Sequence, residues 1–148
     1  MNIFFRVDSS ALIGMGHVMR CLTLAKELSK ECDVKFICRE NKNNSIRRIR
    51  SEGFEVFALE AVSENSKSFN SYSDWLGTSQ EKDAKECEEI LKKQRVDWLI
   101  VDHYGIDKTW QTYLKKYYRK LFVIDDLANR EHSCDLLLDQ NYFQNNTL

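Results

Sequence analysis

The segment Gly14-Met15-Gly16-His17 holds the residue types best suited to chemistry in this sequence. Glycines between a strand and a helix let backbone N–H groups approach a diphosphate or a sugar, and the positive end of the helix dipole favours an anionic ligand there. A dinucleotide-binding fingerprint would have a third glycine where this chain has Met19, which weakens the nicotinamide interpretation. On this segment alone, a ligand-binding loop and a simple tight turn are equally favoured.

His17 lies in the first turn of the predicted helix that follows this loop. Positive potential at a helix N-terminus disfavours the imidazolium, so the ring stays neutral and can accept a proton near neutral pH. This property suits a general base that acts on water. An isolated histidine more often only hydrogen-bonds its own turn. The glycines beside His17 and a second polar segment later in the chain favour the catalytic interpretation.

That second polar segment is Asp102-His103-Tyr104-Gly105, which follows a later predicted strand. Tyr104 could position a sugar hydroxyl or a water, and Asp102 could orient a side chain or cap the turn at Gly105. For His103 we expect a loop residue that is satisfied by solvent or backbone. Asp125-Asp126 ends another predicted strand and could be a binding acid or the cap of a short turn.

The apolar pattern alternates between strand and helix along the chain. Short apolar runs predict strands over Ile3–Val7, Val34–Ile37, Phe54–Leu59, Trp98–Val101, Leu121–Ile124 and Leu136–Leu138. Segments with apolar residues on one helical face predict helices over His17–Lys30, Ser45–Glu52, Ser79–Gln94 and Ile106–Tyr118. Gly53 is predicted to end its helix as a C-terminal cap. The alternation predicts an α/β fold, a Rossmann-like, mostly parallel sheet flanked by helices.

The two polar segments would face one crevice if the strands follow the common order 3-2-1-4-5. Strands one and four are then neighbours, and ligands bind beyond the carboxyl ends of such strands where the order reverses. The segment Ala61–Thr78 is rich in serine and lacks a convincing period. We interpret it as a long loop with one helical turn around Trp75, either functional or a surface excursion.

The composition predicts one globular domain spanning residues 1–148. Apolar residues make up 43% and charged residues 30%, and a net charge of −1 argues against nucleic acid or an anionic membrane as the main partner. No stretch approaches the roughly twenty apolar residues of a membrane-spanning helix. The five cysteines stand singly, which indicates reduced thiols in a cytoplasmic protein. His132 beside Cys134 offers too few ligands for a metal site, so no metal is predicted.

Three blocks of residues carry a family resemblance. The first is Arg6-x-Asp8-Ser9-Ser10-x-x-Ile13-Gly14-x-Gly16-His17-x-x-Arg20-Cys21-Leu22-x-Leu24-Ala25, the second is Asp102-His103-Tyr104-Gly105, and the third runs from Ile124 to Asn141. In this combination and order they closely resemble the UDP-2,4-diacetamido-2,4,6-trideoxy-β-L-altropyranose hydrolases of pseudaminic acid biosynthesis. Related sequences are also labelled as spore-coat polysaccharide proteins.

The resemblance implies a two-domain architecture similar to the GT-B glycosyltransferases, and a hydrolysis that needs no metal or other cofactor. Water attacks the anomeric carbon of the UDP-sugar, the C–O bond breaks, and UDP and the free sugar are released. The family's catalytic base falls on His17 and its active-site tyrosine on Tyr104. The predicted substrate-binding residues all lie in the first two blocks: Asp8, Gly14, Gly16, Arg20 and Asp102.

The family's carboxyl-terminal domain, which grips the uridine diphosphate, has no counterpart in these 148 residues. We therefore expect a second nucleotide-binding domain in cis or in trans, and weak activity without it. Two alternatives stay open at this point. One is a GT-B-type glycosyltransferase half that transfers the sugar to an acceptor held by the loop Ala61–Thr78. The other is a non-catalytic module for sugar-nucleotide binding or assembly.

Overall fold

One parallel sheet positions the candidate residues in the computed structural model, which describes residues 1–62 and 72–139. Its strands are β1 (Asn2–Val7), β2 (Asp33–Arg39), β3 (Glu55–Leu59), β4 (Trp98–Asp102), β5 (Lys120–Ile124) and β6 (Leu136–Leu138). The order across the sheet is β3-β2-β1-β4-β5-β6, and every neighbouring pair is parallel. The predicted α/β class and the assumed order are confirmed, with β6 added at one edge.

Helices lie between consecutive strands from β1 to β5 in the described part of the chain, and a loop leads from β5 to β6. They are α1 (Gly16–Leu28), α2 (Ile46–Ser51), α3 (Gln80–Leu91) and α4 (Lys108–Tyr113), with 3₁₀ turns at Tyr72–Leu76 and Lys115–Tyr117. The predicted helical turn around Trp75 is confirmed. The predicted helix Ile106–Tyr118 is wrong in extent. Asp107 caps α4 by accepting a hydrogen bond from the Thr109 N–H at 2.8 Å, and a 3₁₀ turn replaces the second half.

Gly53 ends α2 as the sequence predicts. Its backbone has φ +95°, a conformation that glycine adopts at low cost, and its N–H donates to the Arg50 carbonyl at 3.0 Å. The chain then turns directly into β3.

The core lies on both faces of the sheet. Neighbouring phenylalanines of β1 point to opposite faces, as the alternation along a strand requires. Phe5 belongs to the cluster that contains Val18 and Cys21 of α1, whereas Phe4 belongs to the cluster that contains Ala84 of α3. Because helices cover both faces, the central strands are apolar at nearly every position.

The register of β1 against β4 determines where the polar segments emerge. Val7 at the end of β1 lies opposite Asp102 at the end of β4. The segments that follow both strands therefore leave the sheet side by side, at the point where the strand order reverses.

Parts of two predicted segments lie outside the described residues. The predicted loop Ala61–Thr78 is described only at its two ends, and Gln140 and Asn141 of the third sequence block are not described. The five cysteines are free. Within residues 1–62 and 72–139, none of the helices combines the length and the apolar character needed to cross a membrane.

Candidate active site

The side chains of His17 and Tyr104 meet at the end of β1 and β4. Their ring centroids lie 4.5 Å apart with an interplanar angle of 85°, an edge-to-face contact. The predicted juxtaposition of these two residues is confirmed. It follows from the topology, because α1 starts from the end of β1 while Tyr104 follows the neighbouring β4.

Asp102 holds one nitrogen of the His17 ring. His17 Nδ1 lies 2.6 Å from Asp102 Oδ1. Burial alone raises the pKa of Asp102, but hydrogen bonds from Arg20 and His17 outweigh it, and the pKa of this carboxyl lies below its ordinary value. An ionised carboxylate only accepts, so Nδ1 is the donor. Nε2 of a neutral ring is then the basic nitrogen, and it has no hydrogen-bond partner within the described residues.

Arg20 lies one helical turn after His17 and holds the same carboxylate. Its Nε and Nη2 donate to the two oxygens of Asp102 at 2.5 and 2.6 Å, the fork geometry that suits a guanidinium–carboxylate pair. The hydrogen bond to Asp102 raises the pKa of Arg20 further above its usual value. Asp102 has no exposed side-chain surface and both of its oxygens are occupied, so its geometry fits orientation of His17 rather than contact with substrate.

Tyr104 is held by a carboxylate of its own. Its hydroxyl donates to Asp126 Oδ1 at 2.5 Å, and Arg20 Nη1 lies 3.8 Å from Asp126 Oδ2. Burial and the hydrogen bond to Asp126 both raise the pKa of Tyr104, so the phenol keeps its proton at neutral pH. From the sequence, Asp125-Asp126 is interpreted as a binding acid or a turn cap, and Asp126 is not among the predicted site residues. The available signal was its position after the strand next to β4.

The two acids after β5 have different roles. Asp125 is 3% exposed and accepts hydrogen bonds from His132 Nε2 at 2.7 Å and from the Leu127 N–H at 3.2 Å. It therefore caps the turn, as one of the two sequence interpretations has it. Asp126 is the member of the pair that faces the candidate site.

The prediction that Asp8 contacts the substrate is not supported by its position in the structure. It is 1% exposed, and its oxygens accept from Arg6 Nη1 at 2.6 Å, the Arg39 backbone N–H at 2.7 Å and His103 Nε2 at 2.8 Å. Burial alone raises the pKa of Asp8, but the Arg6 guanidinium outweighs it and holds the pKa well below its usual range. A carboxylate with three internal donors is a structural group, and we do not keep it among the substrate contacts.

His103 differs from its expected environment for the same reason. It is 5% exposed, so solvent does not satisfy it. Nε2 donates to Asp8, and Nδ1 accepts from the Gly105 N–H at 2.9 Å. The expected backbone partner is present, but the expected solvent is replaced by a buried carboxylate, because β1 and β4 are neighbours.

The two glycines of the loop differ in what the fold requires of them. Gly14 has φ +77° and its N–H donates to the Ser10 carbonyl at 2.9 Å, so the turn itself explains this glycine. Gly16 begins α1 without a positive φ, and a Cβ at this position would meet no atom within 4 Å. Met15 provides no side-chain cap for the helix. The predicted approach of a ligand to Gly16 therefore stays a prediction that the space allows.

Two further aromatic residues border the site, and neither is among the site residues predicted from the sequence. The Trp75 ring lies 5.4 Å from the Tyr104 ring and 6.3 Å from the His17 ring, and Tyr72 lies 5.2 Å from Tyr104. Both belong to the 3₁₀ turn Tyr72–Leu76. The helical turn around Trp75 could be predicted from the sequence, but its position over the end of β4 could not.

The site is thus a histidine–carboxylate pair beside a phenol, at the switch point of a Rossmann-like sheet. Among residues 1–62 and 72–139, no three His, Cys, Asp or Glu side chains are grouped so that they could hold a metal ion.

Comparison with known proteins supports the resemblance stated from the three sequence blocks. The chain is 31% identical over 144 residues to the UDP-2,4-diacetamido-2,4,6-trideoxy-beta-L-altropyranose hydrolase of Campylobacter jejuni subsp. jejuni serotype O:2. The match covers 97% of this chain and 43% of that relative, so the chain spans less than half of the relative's length. No family model matches the chain. The resemblance to this hydrolase is confirmed at the level of sequence.

Proposed function

We propose that this chain is the base-bearing half of a UDP-sugar hydrolase. In the proposed reaction, water attacks the anomeric carbon and releases UDP and a free sugar. By analogy with the relative's name, the sugar is 2,4-diacetamido-2,4,6-trideoxy-altrose. The observation that carries the proposal is the state of His17, whose Nδ1 is held by Asp102 while its Nε2 has no partner among the described residues.

The proposed chemical step uses His17 as a general base. Nε2 takes a proton from water, the water oxygen forms a bond to the anomeric carbon, and the bond from that carbon to the UDP oxygen breaks. The electron pair of the broken bond leaves with UDP. Asp102 stabilises the imidazolium that forms and keeps the ring in place, because its Oδ1 lies 2.6 Å from Nδ1.

The neighbouring groups suit the substrate on either side of the reacting carbon. Tyr104 keeps its proton and lies against the His17 ring, where its hydroxyl or its ring can position the sugar or the water. The uncapped first turn of α1 offers backbone N–H groups to the diphosphate, and Gly16 leaves room for it. We propose Arg20 as a holder of Asp102 that also adds positive charge near the leaving group.

We further propose that a second nucleotide-binding domain completes the site, in cis or in trans, as in a GT-B-like arrangement. The chain spans 43% of the relative's length, which leaves room in such a protein for that domain. Uridine would then bind mainly to the second domain, and this chain alone would turn over slowly.

The position of bond cleavage tests the proposal. The chain and the proposed second nucleotide-binding domain are incubated with the UDP-sugar in H₂¹⁸O without any acceptor. The masses of both products are then measured by mass spectrometry. Attack at the anomeric carbon puts the heavy oxygen into the sugar and none into UDP. Heavy oxygen in UDP, or the absence of free sugar unless an acceptor is added, would contradict the proposal, and the latter result would favour the transferase alternative.

A further inference from the structure

We infer that Trp75 is a specificity-determining residue whose indole packs against the sugar ring of the substrate. The inference rests on the proposed function, which supplies the class of ligand, a UDP-linked pyranose. It concerns the sugar rather than the nucleotide, and it assigns a role to a residue outside the three sequence blocks.

Trp75 belongs to a group of aromatic rings that ends at His17. Its ring centroid lies 4.8 Å from Tyr72, 5.4 Å from Tyr104 and 6.3 Å from His17. The contact with His17 is edge-on, at 86°. A sugar whose anomeric carbon approaches the His17 ring therefore comes within reach of the indole, since a pyranose ring is about as wide as these separations.

Core packing does not account for Trp75. The next residue, Leu76, is 1% exposed and belongs to the core cluster on the α3 face of the sheet, whereas Trp75 is half-buried and lies outside both core clusters. Tyr72, its partner in the same turn, is 44% exposed. The turn thus inserts one residue into the core and leaves its aromatic rings at the surface beside His17.

The indole N–H of Trp75 also differs from that of Trp110 in its partners among the described residues. Trp110, the buried tryptophan of α4, donates from Nε1 to Asp83 Oδ1 at 2.9 Å. Trp75 is only half-buried, and its Nε1 makes no such hydrogen bond within the described residues. A partly exposed aromatic ring next to a polar group of the proposed reaction is typical of a ligand-binding surface.

The chemistry of the sugar complements this surface. One face of a pyranose presents C–H bonds, which carry slight positive charge and pack against the electron-rich face of an indole. An acetamido carbonyl or a hydroxyl can accept from Nε1–H. The proposed second domain would hold the uridine of UDP, both its uracil and its ribose, so Trp75 should contact the transferred sugar and not UDP.

Gly105 holds this turn against the loop that carries Tyr104. A Cβ at Gly105 would lie 2.9 Å from Leu76 Cβ and 3.0 Å from the Leu76 backbone nitrogen, closer than packed atoms allow. The missing side chain therefore lets the Trp75 turn approach the end of β4. Because Tyr104 precedes Gly105 directly, the same contact sets the indole and the phenol relative to each other.

The first test observes Trp75 directly by ¹H–¹⁵N NMR of the full chain. The sequence has three tryptophans, Trp75, Trp98 and Trp110, so the two others serve as internal controls. Their indole signals are assigned with a Trp75→Phe variant and followed during titration with the UDP-sugar named above, and separately with UDP. We expect the Trp75 signal to move with the UDP-sugar and to stay within its linewidth with UDP. Equal movement with both, or none at roughly millimolar UDP-sugar, would overturn the inference.

The second test is kinetic, with the second half supplied. Trp75→Ala is expected to lower kcat/KM by about 10- to 100-fold, mainly through KM, with the inhibition constant for UDP unchanged. Trp75→Phe should recover most of the loss, because it keeps an aromatic face. The control is Tyr113→Ala on α4, which removes another partly exposed ring and should leave both constants unchanged.

The outcomes separate this inference from the proposed function. UDP release with an unchanged KM in Trp75→Ala refutes the role of Trp75 and leaves the hydrolase proposal standing. A sugar-dependent shift of the Trp75 signal without any UDP release supports sugar recognition by Trp75 and refutes hydrolysis.

Discussion

Two aspartate–histidine pairs connect β1 with β4, and they differ in what each leaves free. In the buried pair, Asp8 after β1 accepts from His103, whose second nitrogen accepts from the Gly105 N–H. In the open pair, Asp102 at the end of β4 holds Nδ1 of His17, and Nε2 is without a partner in the described residues. Both pairs join the same residue types across the same two strands, but only the open pair has a ring nitrogen that could accept a proton.

The difference teaches that an acid and a histidine side by side do not identify a candidate base. What identifies it is a ring nitrogen without a hydrogen-bond partner among the described residues. The buried pair is part of a network in which Arg6 and Arg39 contact Asp83 at 2.6 and 2.7 Å. Every member of that network contributes to holding strands and helix together. The open pair keeps one nitrogen for a ligand. The predictions below can break this comparison or sharpen it.

Replacement of His17 is expected to have the largest effect. His17→Leu should lower kcat for UDP release by about 10²- to 10⁴-fold, because it removes the proposed general base. The rate of UDP release is measured with the second half supplied. Met19→Leu, a change at an exposed position of the same helix, is the control. Undiminished release by His17→Leu would remove the distinction between the two pairs.

Replacement of Asp83 tests the buried side of the comparison. Asp83→Ala leaves two buried guanidinium groups without their shared carboxylate, so the free energy of unfolding should fall by about 3–5 kcal/mol. Urea denaturation measures the change. Glu89→Ala on the same helix, which removes an exposed ion pair with Lys92, should cost less than about 1 kcal/mol. A loss in Asp83→Ala as small as the one expected for Glu89→Ala would show that the network does not stabilise the fold.

The same network predicts how stability depends on pH. Burial alone raises the pKa values of Asp8 and Asp83, but Arg6 outweighs it and both lie below their ordinary value. Below about pH 4–5 these two carboxylates are protonated in the unfolded chain while they stay ionised in the folded chain. The free energy of unfolding should therefore fall as pH decreases. Denaturation midpoints between neutral and acidic pH measure this slope. A stability that is independent of pH in this window would contradict the assignment.

Replacement of Asp102 separates orientation from catalysis. Asp102→Asn keeps the size of the side chain but removes the charge that His17 and Arg20 share, so kcat should fall, by no more than the about 10²- to 10⁴-fold expected for His17→Leu. The measurement is kcat and KM for the UDP-sugar. If Asp102→Asn left kcat unchanged, the carboxylate would not be the group that positions the ring.

The smallest expected effects distinguish the two glycines of the loop. Gly14→Ala should lower the free energy of unfolding by about 1–2 kcal/mol, because of its φ of +77°. Gly16→Ala should leave stability within about 0.5 kcal/mol, since a Cβ there meets no atom within 4 Å, but should raise KM if a diphosphate approaches it. Thermal denaturation and steady-state kinetics give both values. An unchanged KM in Gly16→Ala would place the diphosphate elsewhere.

Much of the fold could be predicted from local patterns, and less of the site. Near-continuous apolar runs predicted the parallel strands, and the common strand order then brought His17 and Tyr104 together. The burial of Asp8 could not be predicted, because it depends on Arg6, Arg39 and His103 reaching one point from different elements. Contacts between residues that are far apart in the sequence leave no pattern in the local sequence.

The amino-acid sequence by itself determined the alternation of strands and helices, the cap at Gly53 and the placement of His17 at the start of a helix, because each depends on neighbours a few residues away. Tertiary structure alone decided which histidine is enclosed, which one has a nitrogen without a partner among the described residues, and that Trp75 lies beside the latter. Those properties depend on contacts between segments that are some 60 to 100 residues apart in the chain.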